Sequence, residues 1–305
     1  MTTLSGVSTP QGAVRTAPSA SAIVELLKPV TWFPPMWAFT CGVVSTGVPV
    51  RDRLGIVALG VLITGPLVCA TSQAANDWFD RHVDAINEPQ RPIPSGRMPG
   101  TWGLRIAIAW TLLSLTAAIP LGASGLVAVA IALAFAWAYS APPFRLKQNG
   151  WIGNAAVGLT YEGLAWVTGA VILLDGAIPG PRVLAIAALY SVGAHGILTL
   201  NDFKAIDGDR RMGIRSLPAS LGPTRAAWVL CAVMLLPQAV VVGLLRSWGA
   251  AGAAIGVTAL VVVQIGLMAH FLRAPRERAL FLSAVGVPFY VSGMMVAAVA
   301  LRSLA

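Results

Sequence analysis

Two short acid-rich windows hold the residues whose types and spacing suit chemistry. The first runs Asn76-Asp77-Trp78-Phe79-Asp80-Arg81-His82-Val83-Asp84, and the second Asn201-Asp202-Phe203-Lys204-Ala205-Ile206-Asp207-Gly208-Asp209. Together they contain six of the twelve acids in 305 residues. On a continued helix Asn76, Asp80 and Asp84 fall at i, i+4 and i+8, within an arc of roughly 80°, with Asp77 on the flank. Asp202 and Asp209 are seven apart and share a helical face, whereas Asp207 points away. Carboxylates crowded at helix C-termini repel one another and oppose the negative end of the dipole, so they need cations. The oxygen donors Asn76, Asp80, Asp84, Asp202 and Asp209, with no His or Cys at zinc-like spacing, favour Mg²⁺ or a similar hard ion. The four aspartates are also the candidate catalytic residues.

Mg²⁺ keeps waters or substrate phosphates among its ligands, and nearby cations fit that role. Arg91, Arg97 and Lys204 are candidate grips for phosphate oxygens. In Tyr139-Ser140-Ala141-Pro142-Pro143-Phe144-Arg145-Leu146-Lys147 the paired prolines stop a helix. Tyr139, Arg145 and Lys147 then become further candidate diphosphate contacts. Glu162, well inside an apolar run, either lines a substrate pocket or bonds across helices, since an intramembrane acid avoids lipid. His195 reads as an interior residue, and Cys41, Cys69 and Cys231 as small buried apolar ones.

The elements that position these residues are apolar helices. The chain is 56% hydrophobic and 11% charged, which excludes an ordinary soluble domain. Runs long enough to cross a bilayer, about 20 residues each, recur nine times, giving an all-α polytopic membrane protein. The uncharged separator 120–125 leaves eight open. Sixteen of the 21 Lys and Arg residues fall on one side of such a nine-helix chain. That side, holding the N-terminus and both acidic windows, is therefore expected to be cytoplasmic. The basic excess follows this pattern rather than forming a stripe, so nucleic acid is not an expected partner. Residues 1–22 read as a disordered lead, and 23–305 as one domain. Asn76-Asp77 followed by Arg91-Pro92, and Asn201-Asp202 followed by Arg215 and Pro218, suggest two similar helical halves sharing one cavity.

Asn76-x-x-x-Asp80-x-x-x-Asp84, with a second acidic motif four helices on, resembles the UbiA superfamily of intramembrane prenyltransferases. Ser72-Gln73-Ala74-Ala75-Asn76-Asp77-Trp78, Arg91-Pro92-Ile93-Pro94-Ser95-Gly96-Arg97, Tyr161-Glu162-Gly163-Leu164 and Leu200-Asn201-Asp202-Phe203-Lys204 are similar to its chlorophyll synthase branch. Gly193-Ala194-His195-Gly196 and Lys204-Ala205 resemble the bacteriochlorophyll-forming members most. The resemblance implies a nine-helix fold and a cavity open to lipid. It also implies transfer of a geranylgeranyl or phytyl group from its diphosphate to the propionate carboxyl of bacteriochlorophyllide, in a bacterial inner or photosynthetic membrane. It makes Tyr161 and Glu162 acceptor-pocket candidates, and pigment-delivery or assembly proteins candidate partners. Ala205 stands where many members carry an acid, so the second metal motif rests on Asp202 and Asp209, with the part of Asp207 open. Two alternatives stand beside this: a related prenyltransferase with a chlorophyllide, quinone-precursor or haem acceptor, and a cation-coupled transporter.

Overall fold

Ser19 starts the first helix by accepting a hydrogen bond from the Ala22 amide at 3.3 Å, the usual way an orphan amide is satisfied at an N-cap. The computed structural model describes residues 17–304 and is built almost entirely of helices. After α1 (Ala20–Leu27) comes α2 (Phe33–Ser45), reached through a turn at Pro29–Thr31. The next rod runs through α3 (Leu54–Leu62), a π-helical segment Ile63–Cys69 and α4 (Ala70–Asn87). Pro66 lies in that segment; its missing N–H and its ring disrupt an α-helical ladder, and the wider turn accommodates both.

α5 (Trp102–Ala118) and α6 (Gly122–Ser140) fold back on each other as a hairpin. Trp137 Nε1 on one arm donates to Thr111 Oγ1 on the other at 3.0 Å, and Trp110 Nε1 donates to the Pro66 carbonyl at 3.1 Å. The following rod is α7 (Gly150–Gly158), a second π-helical segment Leu159–Leu164, and α8 (Ala165–Leu173). Then come α9 (Pro181–Asp202), α10 (Ile206–Arg211), α11 (Leu217–Leu221), α12 (Pro223–Ser247) and α13 (Ala251–Leu272). α14 (Pro275–Phe281) passes through a third π-helical segment, Leu282–Gly286, into α15 (Val287–Arg302).

Among the described residues seven helical stretches are long and apolar enough to cross a membrane, against the nine expected. α2, at 13 residues, spans about 20 Å at 1.5 Å per residue, short of a hydrocarbon core of about 30 Å. The two arms of the α5–α6 hairpin follow one another as a single helical stretch, Trp102–Ser140. α1 begins at Ala20, inside the stretch 1–22 expected as a disordered lead; residues 1–16 lie outside the described residues.

Close helix contact replaces hydrophobic exclusion as the source of packing in such a protein. A Cβ on Gly42 would lie 1.9 Å from the Trp166 carbonyl oxygen, and one on Gly169 2.2 Å from that of Phe39. α2 and α8 therefore touch backbone to backbone. In the core Trp166 stacks on Tyr190 and Tyr190 meets Tyr290 edge to face, with ring centroids 6.1 and 5.4 Å apart. Large apolar side chains on the long helices, such as Leu112, Val192 and Leu236, face outward, as helices bathed in lipid require.

Candidate active site

α4 continues well past the apolar part of its rod, so Asn76, Asp80 and Asp84 keep the helical spacing expected of them. All three line a cavity of about 560 Å³. The opposite wall carries Asp202, the last residue of α9, and Asp209 from α10. The two acidic windows thus meet in one place. They do so by a different route from that expected for the second window. α9 stops at Asp202, and a turn over 203–205 precedes α10. Asp207, expected to point away, also borders the cavity, where it is 60% exposed and paired with Arg276.

Each carboxylate has its own holder. Asp80 Oδ1 is 2.5 Å from Lys147 Nζ and 3.7 Å from an Arg145 guanidinium nitrogen. Asp84 Oδ2 accepts from Arg91 at 2.8 Å, and the same guanidinium pairs with Glu88. Asn154 Nδ2 donates to Asp202 at 3.1 Å and to Thr199 at 3.2 Å. Ser216 Oγ donates to Asp209 at 2.5 Å. Asn76 Nδ2 donates to Ser140 at 3.2 Å. Burial pushes the Asp209 carboxyl up; Ser216 opposes this, and Asp80 across the cavity adds to it. Burial likewise lowers Lys147, against the pull of Asp80. The two walls therefore feel each other's charge.

Among the described residues no three His, Cys, Asp or Glu side chains cluster closely enough to hold a metal by themselves. A hard divalent ion needs only one or two of these carboxylates when phosphate or water supplies the rest. The donors lining the cavity are oxygens, and Asn154 and Ser216 each bond one carboxylate oxygen of their partner. That donor set fits such an ion.

Of the expected diphosphate contacts, Arg91, Tyr139, Lys147 and Lys204 line the cavity. Arg145 sits behind Asp80 in a left-handed backbone conformation, φ 39°. Arg97 does not reach the cavity. It forks onto Glu25 at 2.5 and 2.8 Å and caps the Gln90 carbonyl at 2.6 Å. Tyr139 also borders a second, apolar pocket, so one side chain forms a wall of both spaces. Thr64 and Val68 from the first π-helical segment and Thr160, Tyr161 and Leu164 from the second line that pocket. Tyr161 accepts a weak bond from the Cys69 thiol at 3.3 Å. Glu162 is buried but is not among the pocket's walls.

Sequence reading missed Asn154 and Ser216. Asn154 lies in Gly153-Asn154, one turn into a helix capped by Asn149, and a polar residue so placed was the available signal. Ser216 is set by a contact between loops. Gly150 N donates to the Arg215 carbonyl at 2.9 Å, and Arg215 N to that of Gln148 at 3.0 Å. A Cβ on Gly150 would lie 2.7 Å from Leu217 N and 2.9 Å from Ser216 Cα. Gly150→Val should part these loops, cost about 1–3 kcal/mol of stability, and loosen Ser216 from Asp209. Thermal unfolding and the metal concentration for half-maximal activity check both effects; unchanged values would show that the loops are not coupled.

Residues 31–300 match the UbiA prenyltransferase family. The chain belongs to that family. This prenyltransferase is 54% identical over 290 residues to the bacteriochlorophyll synthase 33 kDa chain of Rhodobacter capsulatus, covering 94% of this chain and 95% of that one. It is 37% identical to the chloroplastic chlorophyll synthase of Avena sativa, over 91% of this chain and 75% of that one. A UbiA homolog from Archaeoglobus fulgidus, solved bound to GPP and Mg²⁺, superposes with a TM-score of 0.67 at 22% identity, covering 92% of this chain and 99% of that one. That likeness supports the fold. With its apolar helical stretches, the prenyltransferase is an integral membrane protein.

Proposed function

We propose that the protein esterifies bacteriochlorophyllide, transferring a prenyl group from its diphosphate to the pigment's propionate carboxyl. The supporting observation is one arrangement: a cavity walled by both acidic windows, joined through Tyr139 to an apolar pocket. High identity to bacteriochlorophyll synthases along nearly the whole chain favours this pigment over quinone or haem acceptors.

In this reading the carboxylates of Asp80, Asp84, Asp202 and Asp209, with Asn76, hold Mg²⁺, which when bound neutralises the diphosphate and acts as a Lewis acid. Arg91, Lys147 and Lys204 face the same cavity and stabilise charge as the allylic C–O bond breaks and its electron pair leaves with the diphosphate. Tyr139 stands where the polar head gives way to the prenyl tail, and the apolar pocket keeps water from the cationic carbon. The propionate, with a pKa near that of Glu, about 4.3, is already ionised at neutral pH. Its oxygen forms the new ester bond without a general base, and diphosphate departs. Tyr161 lines the same apolar pocket, where in this reading it contacts the acceptor as it reaches the prenyl carbon. The excess of Lys and Arg on the side of the acidic windows supports a cytoplasmic N-terminus and active site.

The test uses purified protein with bacteriochlorophyllide, geranylgeranyl diphosphate and Mg²⁺, following pigment ester and released diphosphate with and without EDTA. Metal-dependent ester is expected. Diphosphate release without ester would reject the acceptor, and neither product from folded protein would favour transport. Because burial raises the Asp209 carboxyl, protons compete with metal there at a higher pH than at an ordinary carboxylate. The Mg²⁺ concentration for half-maximal rate should therefore rise as pH falls, and Asp209→Asn should flatten that rise; a dependence unchanged in Asp209→Asn would remove Asp209 from the metal site.

A further inference from the structure

Asp77 belongs to the first acidic window, yet it does not line the cavity. It is 2% exposed and turned toward α1, where Lys28 Nζ lies 2.6 Å from its Oδ1. The same oxygen is 3.3 Å from the Arg91 guanidinium, whose nearby contacts are Asp84 and Glu88. Arg91 itself lines the cavity. A chain of charges thus runs from the end of α1, outside the active site, to a cation inside it.

The backbone is bent to make this chain. Lys28 ends α1 in a left-handed conformation, φ 48° and ψ 67°, which costs a residue with a Cβ about 1 kcal/mol. Its carbonyl accepts from Thr31 Oγ1 at 2.8 Å. The apolar face of α1, through Ala22, Leu26 and Leu27, packs with Ala70, Ala74 and Met98 beside α4. In the same last turn Glu25 is paired with Arg97. No residue of α1 lines the cavity, and Lys28–Asp77 is its charged link to α4.

We infer that Asp77 and Lys28 are positioning residues: Asp77 anchors Arg91, and Lys28 offsets the Asp77 charge so that Arg91 remains available to Asp84 and the diphosphate. Without Lys28, the buried carboxylate would draw Arg91 to itself. Without the Asp77 charge, Arg91 would have only Asp84 and Glu88 to fix it. Both losses weaken recognition of the diphosphate while sparing the pigment.

This rests on the prenyl-transfer reading, and the experiment keeps the two apart because wild-type turnover is measured first. The full-length protein is assayed with geranylgeranyl diphosphate and bacteriochlorophyllide varied in turn. Lys28→Met and Asp77→Asn should each raise the KM for the prenyl diphosphate roughly 10-fold or more, with the KM for bacteriochlorophyllide unchanged. Lys28→Arg should restore the wild-type value. Glu25→Gln, which loosens α1 without touching Asp77, should not reproduce the rise. A fall in kcat alone, an equal rise in both KM values, or the same rise in Glu25→Gln would overturn the inference. If Asp77→Asn does not fold, Lys28→Met and its Lys28→Arg rescue decide by themselves, since Lys28 is partly exposed at a helix end.

Discussion

Replacing Asp80 with Ala is expected to cut ester formation by about 10²–10³-fold at saturating Mg²⁺, the size of effect seen when a group stabilising transition-state charge is removed. Asp80 stands between two cations and faces the second acidic wall. Lys147 is 2.5 Å from its carboxylate, and its charge is felt at Asp209. Two effects should combine. A donor oxygen is lost from the metal site, and Lys147, 8% exposed, is left buried without its partner. Asp80→Asn separates them, because it keeps the shape and removes the charge. Lys147→Ala combined with Asp80→Ala should lose less than the sum of the single effects, since contacting residues are not additive. Single-turnover ester formation is the measurement, with thermal unfolding in parallel. Retained activity in folded Asp80→Ala would remove the first window from catalysis.

Arg91→Met should be the most damaging change among the basic residues. One guanidinium serves Asp77, Asp84 and Glu88, and Asp77 and Asp84 are buried. Removing the cation from a buried pair costs about 3–5 kcal/mol, because the carboxylate left behind has lost both water and partner. Lys28 still reaches Asp77, which places the expected loss at the lower end of that range. The thermal midpoint should fall, and the prenyl diphosphate KM should rise with it. Arg91→Lys should recover part of the stability but less of the KM, since a point charge cannot bridge three carboxylates as a planar fork does. Equal recovery of both would mean that only the charge matters.

What the sequence could yield followed the range of the interaction. The i, i+4, i+8 spacing of Asn76, Asp80 and Asp84 is local, and α4 preserves it. That Asp202 and Asp209 reach the same cavity was legible from the repeated Asn-Asp pattern, although the break after α9 was not. Arg97 illustrates the limit. It lies as close in sequence to the acids as other candidates, but its partner Glu25 is 72 residues away, and only the folded loop brings them together. Asn154 and Ser216 were hidden for the same reason, being identified by carboxylates 48 and 7 residues distant across a helix pair and a loop contact. The count of spans depended on length alone. Among the described residues, the run at α2 forms only a short helix, and those at α5 and α6 join through a turn at Gly122 into one stretch, so nine apolar runs do not become nine long helices.

The π-helical segment Ile63–Cys69 sets the angular phase of everything that follows it on the same rod. Each residue of an α-helix turns the chain by about 100°, and a π-bulge takes up one extra residue without ending the helix. Losing one residue instead from the regular first turn of α4, where no bulge can absorb it, would carry Asn76, Asp80 and Asp84 about a quarter-turn round the helix, away from the wall they share with Lys147 and Arg91 and toward neighbouring helices. The apolar pocket and the charged cavity are in this sense geared together. The bulge that shapes the first through Thr64 and Val68 also aims the carboxylates of the second, so the turn of α4 that follows it should tolerate substitution far better than a change in length.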